Sequence, residues 1–176
     1  MTTTGVSSTR PLSPIGWLGA PMLLCIVSTL VLSTPTPIRL FGFGLPQPVF
    51  PLAFAFAWAL IRPSVLPPFA LLILGLFLDV LWDGPQGLWP LCLLATYASV
   101  LLLRPLITGQ DLLFMWAIYG AATALAFGVG FVLMAMDTGG AVSLVAIAWQ
   151  YLWTLLLFPF TWRFIERYED ADVRFR

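Results

Sequence analysis

The chain has 176 residues, 60% of them apolar and only 9% charged, with no histidine. A soluble domain is about one quarter charged, and a globule of this length cannot hide so many apolar groups from water. A bilayer can, because at ~20 residues per spanning helix the apolar residues fill about five or six spans.

The basic residues are all arginine, and they balance the acidic ones to zero net charge. Without His there is no Ser-His-Asp or Cys-His arrangement and no imidazole metal ligand. Without Lys there is no Schiff base and no phosphate-loop lysine. Zero net charge gives no bulk attraction to nucleic acid. Cys25 and Cys92 lie far apart inside apolar runs, so they read as small buried hydrophobes rather than a disulfide, zinc or redox pair.

Residues 1–14, rich in Ser and Thr with a lone Arg10, are expected to be disordered. The first apolar run, Ile15 to Leu32, is longer than a signal-peptide core and ends in Ser33-Thr34-Pro35 without a cleavage pattern, so it is expected to stay as a first span. Ile38 to Leu45, with Arg39, Gly42 and Gly44, reads as an irregular connection at a membrane face. The second span covers about 46–61, with Pro46, Pro48 and Pro51 obscuring its start, and stops at Arg62-Pro63. The third covers about 65–82 and contains Asp79; Asp83-Gly84-Pro85-Gln86-Gly87 is a turn. The fourth covers 88–103 and stops at Arg104-Pro105. Thr108-Gly109-Gln110-Asp111 has the form of a helix start, followed by the fifth span, 112–136. Asp137-Thr138-Gly139-Gly140 turns the chain into the sixth, 141–160, and residues 163–176 form a charged cytoplasmic tail of mixed sign. Spans two to four hold about 16 to 18 residues, short against a ~30 Å core at 1.5 Å per residue. Polar and apolar residues do not alternate over long stretches, which excludes a β-barrel.

The expected architecture is therefore an all-α integral membrane protein, one bundle of about six transmembrane helices filling residues 15–162. Arginine placement tests it independently. With six spans both ends share one side, and Arg10, Arg62, Arg104, Arg163, Arg167, Arg174 and Arg176 fall there, against Arg39 alone opposite. The positive-inside rule puts both ends in the cytoplasm. Trp17, Trp58, Trp82, Trp89, Trp116 and Trp162 lie near predicted span ends, where amphipathic rings prefer the headgroup level. Trp149 and Trp153, four apart, share one face and suit packing.

Asp79 is the sharpest single feature. An ionised Asp at mid-bilayer costs roughly 2.5–3.5 kcal/mol on insertion scales and less near a span end. Two readings stand: contact with a partner helix or ligand, or capping of the nearby turn by accepting backbone N–H bonds. Asp83 reads as solvated turn chemistry. Gly75, one turn before Asp79 on the same face, permits a close helix crossing. Gly120, Ala124 and Gly128 recur every four residues in span five, a small-xxx-small stripe suited to helix packing, internal or with a partner. Gln150 and Thr154 are candidate interhelical hydrogen-bonding groups.

The stretch Gly75-Leu-Phe-Leu-Asp79-Val-Leu-Trp-Asp-Gly84-Pro-Gln-Gly87-Leu88, followed by an apolar helix with Tyr97, resembles the motif of the bacterial rod shape-determining protein MreD family: a Gly, an Asp four later, a Gly-containing turn and a Gly-Leu opening the next helix. The size, the six-run order and the short tail fit along nearly the whole chain, while the Pro-rich second run and the lack of Lys depart from many members. The resemblance implies a non-enzymatic, multi-pass scaffold in the bacterial inner membrane, without cofactor or metal, that maintains rod shape. It implies direct binding of the bitopic protein MreC, which links MreB filaments to the peptidoglycan synthases, RodA and its penicillin-binding partner. Asp79, Gly75, Gly84, Gly87 and Tyr97 are then candidates for contact with a partner or ligand. The family's helix arrangement is similar to the substrate-binding subunits of energy-coupling-factor vitamin transporters, which supplies the rival reading: a small-molecule-binding subunit. Such a subunit needs several converging polar groups, and few lie in these spans. An intramembrane hydrolase lacks a nucleophile with its base, and a second carboxylate.

Overall fold

The computed structural model describes residues 18–32, 39–40, 43–44, 47–61, 64–107, 111–138 and 143–173. The expectations for residues 1–17, Arg62, Thr108 to Gln110, Gly139 and Gly140, and Arg174 and Arg176 lie outside the described residues. Seven helices form among those described: α1 (Ala20–Leu32), α2 (Phe50–Ile61), α3 (Leu66–Leu81), α4 (Leu88–Ile107), α5 (Leu112–Thr138), α6 (Leu144–Leu155) and α7 (Phe158–Val173). A two-residue antiparallel pairing of Arg39–Leu40 with Phe43–Gly44 is the one extended element among them.

At the centre is α2, which packs against all six other helices. Every residue from Pro51 to Ala59 is buried. The sequence explains this: α2 carries no polar side chain, and Ala53, Ala55, Ala57 and Ala59 alternate with Leu52, Phe54, Phe56 and Trp58, so small residues let neighbours approach on every side while the large ones fill the gaps. Trp58 is 0% exposed and packs on Phe54, with ring centroids 5.9 Å apart. Its ring is enclosed by protein because α2 is surrounded on all sides. Phe56 meets Tyr119 of α5 edge-to-face at 5.2 Å.

The exterior is as apolar as the interior. Phe69, Ile73, Leu76 and Val80 of α3, and Leu144, Val145 and Leu152 of α6, are exposed. Water does not tolerate such a continuous apolar surface; it is the exterior of a membrane protein. Three helical stretches among the described residues are long and apolar enough to cross a membrane: Leu88–Ile107, Leu112–Asp137 and Leu144–Arg163. The apolar helices α1, α2 and α3 are shorter.

Local chemistry sets the boundaries. α2 starts at Phe50, after the prolines at 46 and 48, neither of which can donate to a helical carbonyl. Ser143 caps α6 by accepting from the Ala146 N–H at 3.4 Å. α4 runs past the expected stop at Arg104-Pro105 to Ile107. Tertiary contacts hold that last turn: Ile107 is buried, and the Arg104 guanidinium donates to the Leu60 carbonyl at 3.2 Å, a cation on the C-terminal end of α2. The expected sixth run breaks at Leu156-Leu157, just before Pro159, and α7 then carries the chain on through the charged tail. Phe158, Thr161 and Ile165 of α7 are buried, and the helix packs against α2.

Candidate functional site

The α3–α4 joint gathers most of the motif. α3 ends in a Schellman arrangement: Trp82 N–H bonds to Leu78 O at 2.9 Å, Asp83 adopts the left-handed conformation at φ 49°, and Gly84 N–H bonds back to Asp79 O at 3.3 Å. The exposed Asp83 is therefore turn chemistry. Gly87, at φ 92°, takes a conformation that L side chains rarely adopt.

Asp79 is 4% exposed, and both its carboxylate oxygens are engaged. Gly87 N–H donates to Oδ2 at 2.6 Å and Trp89 N–H to Oδ1 at 2.9 Å. The first-turn donors of α4 can be accounted for one by one. Leu88 N–H bonds to Pro85 O, Trp89 N–H to Asp79, Pro90 has no N–H, and Leu91 N–H makes the first helical bond to Gly87 O. A carboxylate at a helix N-terminus also meets the positive end of the helix dipole. Hydrogen bonds to a charged group contribute about 1.5–3 kcal/mol each in proteins generally. Of the two readings of Asp79, capping by backbone donors is the one with this geometry.

Gly75 sits one turn earlier on α3, where α4 crosses. A Cβ there lands 2.5 Å from both Cα and N of Pro90, so only glycine permits this approach. Gly84 is different: nothing lies within 4 Å of its Cβ position. Tyr97 lies midway along α4, where it is buried and its hydroxyl donates to Ser64 O at 3.3 Å, bracing the chain between α2 and α3. Gly75, Asp79, Gly84 and Gly87 thus form one joint, and Tyr97 and Arg104 together hold the other end of α2 and the start of α3.

No protein-family model matches the chain, and no curated protein or solved structure matches it either. The site therefore stands on its own geometry.

A second polar cluster joins α2, α5 and α6. Thr154 Oγ1 donates to Gln150 O at 2.8 Å and accepts from Val49 N–H at 3.1 Å. Gln150 Nε2 donates to Gln47 O at 3.2 Å, and Tyr119 OH donates to Thr154 O at 2.9 Å. Residues 47–49 are not helical, so their backbone groups need such partners away from water.

The small-residue stripe of α5 divides. Gly120 is a packing residue: its Cβ position is 3.3 Å from Leu155 Cδ1 and from Tyr151 OH of α6, and that hydroxyl donates to Gly120 O at 3.3 Å. Ala124 and Gly128 are exposed, and nothing lies within 4 Å of the Gly128 Cβ position. They line an apolar surface groove between α5 and α6. The glycine of α5 that meets α4 is Gly130, with its Cβ position 3.3 Å from Cys92 Sγ. Gly130 lies two residues off the four-residue stripe, and no spacing rule selects it; the same holds for Pro90, whose role appears only once the α3–α4 crossing is known.

A cavity of about 250 Å³ lies between α2, α4, α5 and α6 beneath the α3–α4 turn. Trp82 and Trp89, edge-to-face at 4.8 Å, both line it. Gln150 contributes a polar side chain, and the rest of the lining is overwhelmingly apolar. Cys25 and Cys92 are buried free thiols. Among the described residues, no three His, Cys, Asp or Glu side chains come together.

Proposed function

We propose that this chain is a six-span scaffold of the MreD type, with both ends in the cytoplasm of a bacterium and the α3–α4 turn on the outer face of the inner membrane. It binds the bitopic protein MreC and so helps connect MreB with RodA and its penicillin-binding partner during rod-shaped growth. The observation that carries this reading is the α3–α4 joint: the residues that carry the family resemblance, Gly75, Asp79 and Gly87, each do a separate job in fixing one helix crossing. Such a joint makes a rigid frame, which a scaffold needs to present helix faces in fixed register. The engaged state of Asp79, Tyr97, Tyr119 and Thr154 supports a non-catalytic role, because their polar atoms serve the fold. The groove at Ala124 and Gly128 offers the close approach that a partner's transmembrane helix uses.

The rival, a vitamin-binding transporter subunit, has the cavity in its favour. Its lining holds few polar groups, whereas a site for a polar small molecule needs several that converge.

The test is recovery of the tagged chain from its native membrane. The scaffold reading expects MreC to co-purify with it and to be reduced when Gly128 is changed to Leu. Wild-type chain free of MreC, or carrying a vitamin, counts against it.

A further inference from the structure

The cavity beneath the α3–α4 turn has a shape as well as a volume. On α5 it is lined by Ala126, Gly130 and Met134, four residues apart on one face, with Phe127 and Phe131 alongside. At 1.5 Å per residue this row is about 12 Å long. A volume of about 250 Å³ beside that row has room for a stretch of one hydrocarbon chain. The floor is smooth because Ala126 and Gly130 have little or no side chain, and Cys92 closes it from α4.

The chemistry narrows the occupant further. A buried water needs two to four polar partners. Gln150 is the one amide side chain in the lining, and it gives one of its two Nε2 N–H groups to Gln47 O. A single amide in an otherwise apolar lining suits the ester-proximal end of an amphipathic molecule that brings its own hydration. The Trp82–Trp89 pair at the turn is the kind of aromatic pair that sits at the boundary between hydrocarbon and headgroups. The void exceeds the ~150 Å³ apolar cavity known to take up benzene and falls below the ~300–1,000 Å³ of sites for drug-sized molecules.

We propose that this cavity is a binding site for one hydrocarbon chain of a membrane phospholipid, inserted beside Trp82 and Trp89 along the Ala126–Gly130 trough. A chain held there ties α4 to α5 and α6, which meet α2 at the same place. The inference is independent of which protein the scaffold binds.

The experiment is photolabelling of the full-length chain in vesicles of phosphatidylethanolamine and phosphatidylglycerol doped with a phospholipid whose acyl chain carries a diazirine. Adducts are mapped by mass spectrometry. The expected result is labelling at Ala126, Phe127 and Gly130 several-fold above that at the outward-facing Val80 and Leu102, saturating with dose and competed by unlabelled phospholipid. Filling the trough with Ala126→Leu removes the cavity adducts and leaves those at Val80 and Leu102 unchanged. Equal, unsaturable labelling at all these positions overturns the proposal, as does persistence of the cavity adducts in a folded Ala126→Leu protein. If that variant does not fold, the wild-type comparison alone decides.

Discussion

Asp79 and Trp89 lie on different helices, and the 2.9 Å bond from the Trp89 N–H to the Asp79 carboxylate makes a side chain of α3 the N-terminal cap of α4. Capping residues normally belong to the helix they cap. Here the cap crosses between helices, so the end of one helix and the start of the next are fixed by a single buried carboxylate. Its partner bond, from Gly87, uses the other oxygen.

Asp79→Ala removes both acceptors and leaves the Gly87 and Trp89 N–H groups unpaired. The expected loss is about 3–6 kcal/mol, from two bonds to a charged group at about 1.5–3 kcal/mol each, with membrane insertion retained. Asp79→Asn keeps one acceptor oxygen and falls between Ala and wild type. Thermal unfolding in detergent, read by tryptophan fluorescence, orders the three proteins; equal midpoints for Asn and Ala contradict the two-oxygen account.

Gly75→Ala and Gly84→Ala differ by one methyl group each and should behave oppositely. The first drives a Cβ to 2.5 Å from the Pro90 backbone and forces α3 from α4; the second meets open space. Overpacking of this kind costs typically about 1–3 kcal/mol. Because the clash is with Pro90 Cα and N, changing Pro90 to Ala does not relieve it. Unfolding midpoints of the two single variants and the Gly75/Pro90 double variant check this directly.

Gly120 and Gly128 provide a matched pair on α5. Gly120→Leu strikes Leu155 and Tyr151 and lowers the stability of the isolated chain. Gly128→Leu leaves the isolated chain as stable as wild type, because the site is open, and acts only where a partner helix occupies the groove. Stability in detergent and MreC recovery are read side by side. Unchanged recovery assigns the groove to lipid.

Thr154→Val deletes a hydroxyl that bonds to the Val49 N–H. Interhelical hydrogen bonds in membrane proteins average about 0.6 kcal/mol with a maximum of about 1.7, so the cost is modest. Its signature is local: faster amide exchange at Val49, with Gly87 and Trp89 unaffected. Exchange that rises equally at both places contradicts separate polar clusters.

Much of the helical layout was legible because apolar runs and their punctuation are local. Asp83-Gly84 and Gly87 mark a turn by composition alone, and the closeness of Asp79 to that turn made capping one of its two readings. What sequence spacing does not carry is the distance between helices. Gly75 reads as a small residue on the Asp79 face, but only the fold shows that Pro90 lies against it. The four-residue stripe selects Gly128, whereas the packed glycine is Gly130, because the side of α5 that meets α4 is set by how α5 is rotated in the bundle. Trp58 is enclosed by protein for a reason of the same kind: α2 is surrounded. The stop expected at Arg104-Pro105 gave way to the bond from Arg104 to Leu60 O, a contact across 44 positions of sequence.

The reading as a shape-maintaining scaffold rests most heavily on what happens to the cell. The decisive measurement is cell width and aspect ratio during depletion of this protein in its native bacterium, with wild-type and Asp79→Ala copies supplied in trans. The account predicts that depleted cells round up, that the wild-type copy restores rods, and that the Asp79→Ala copy restores them poorly while still reaching the membrane. Cells that keep their rod shape and width after the protein is gone contradict it.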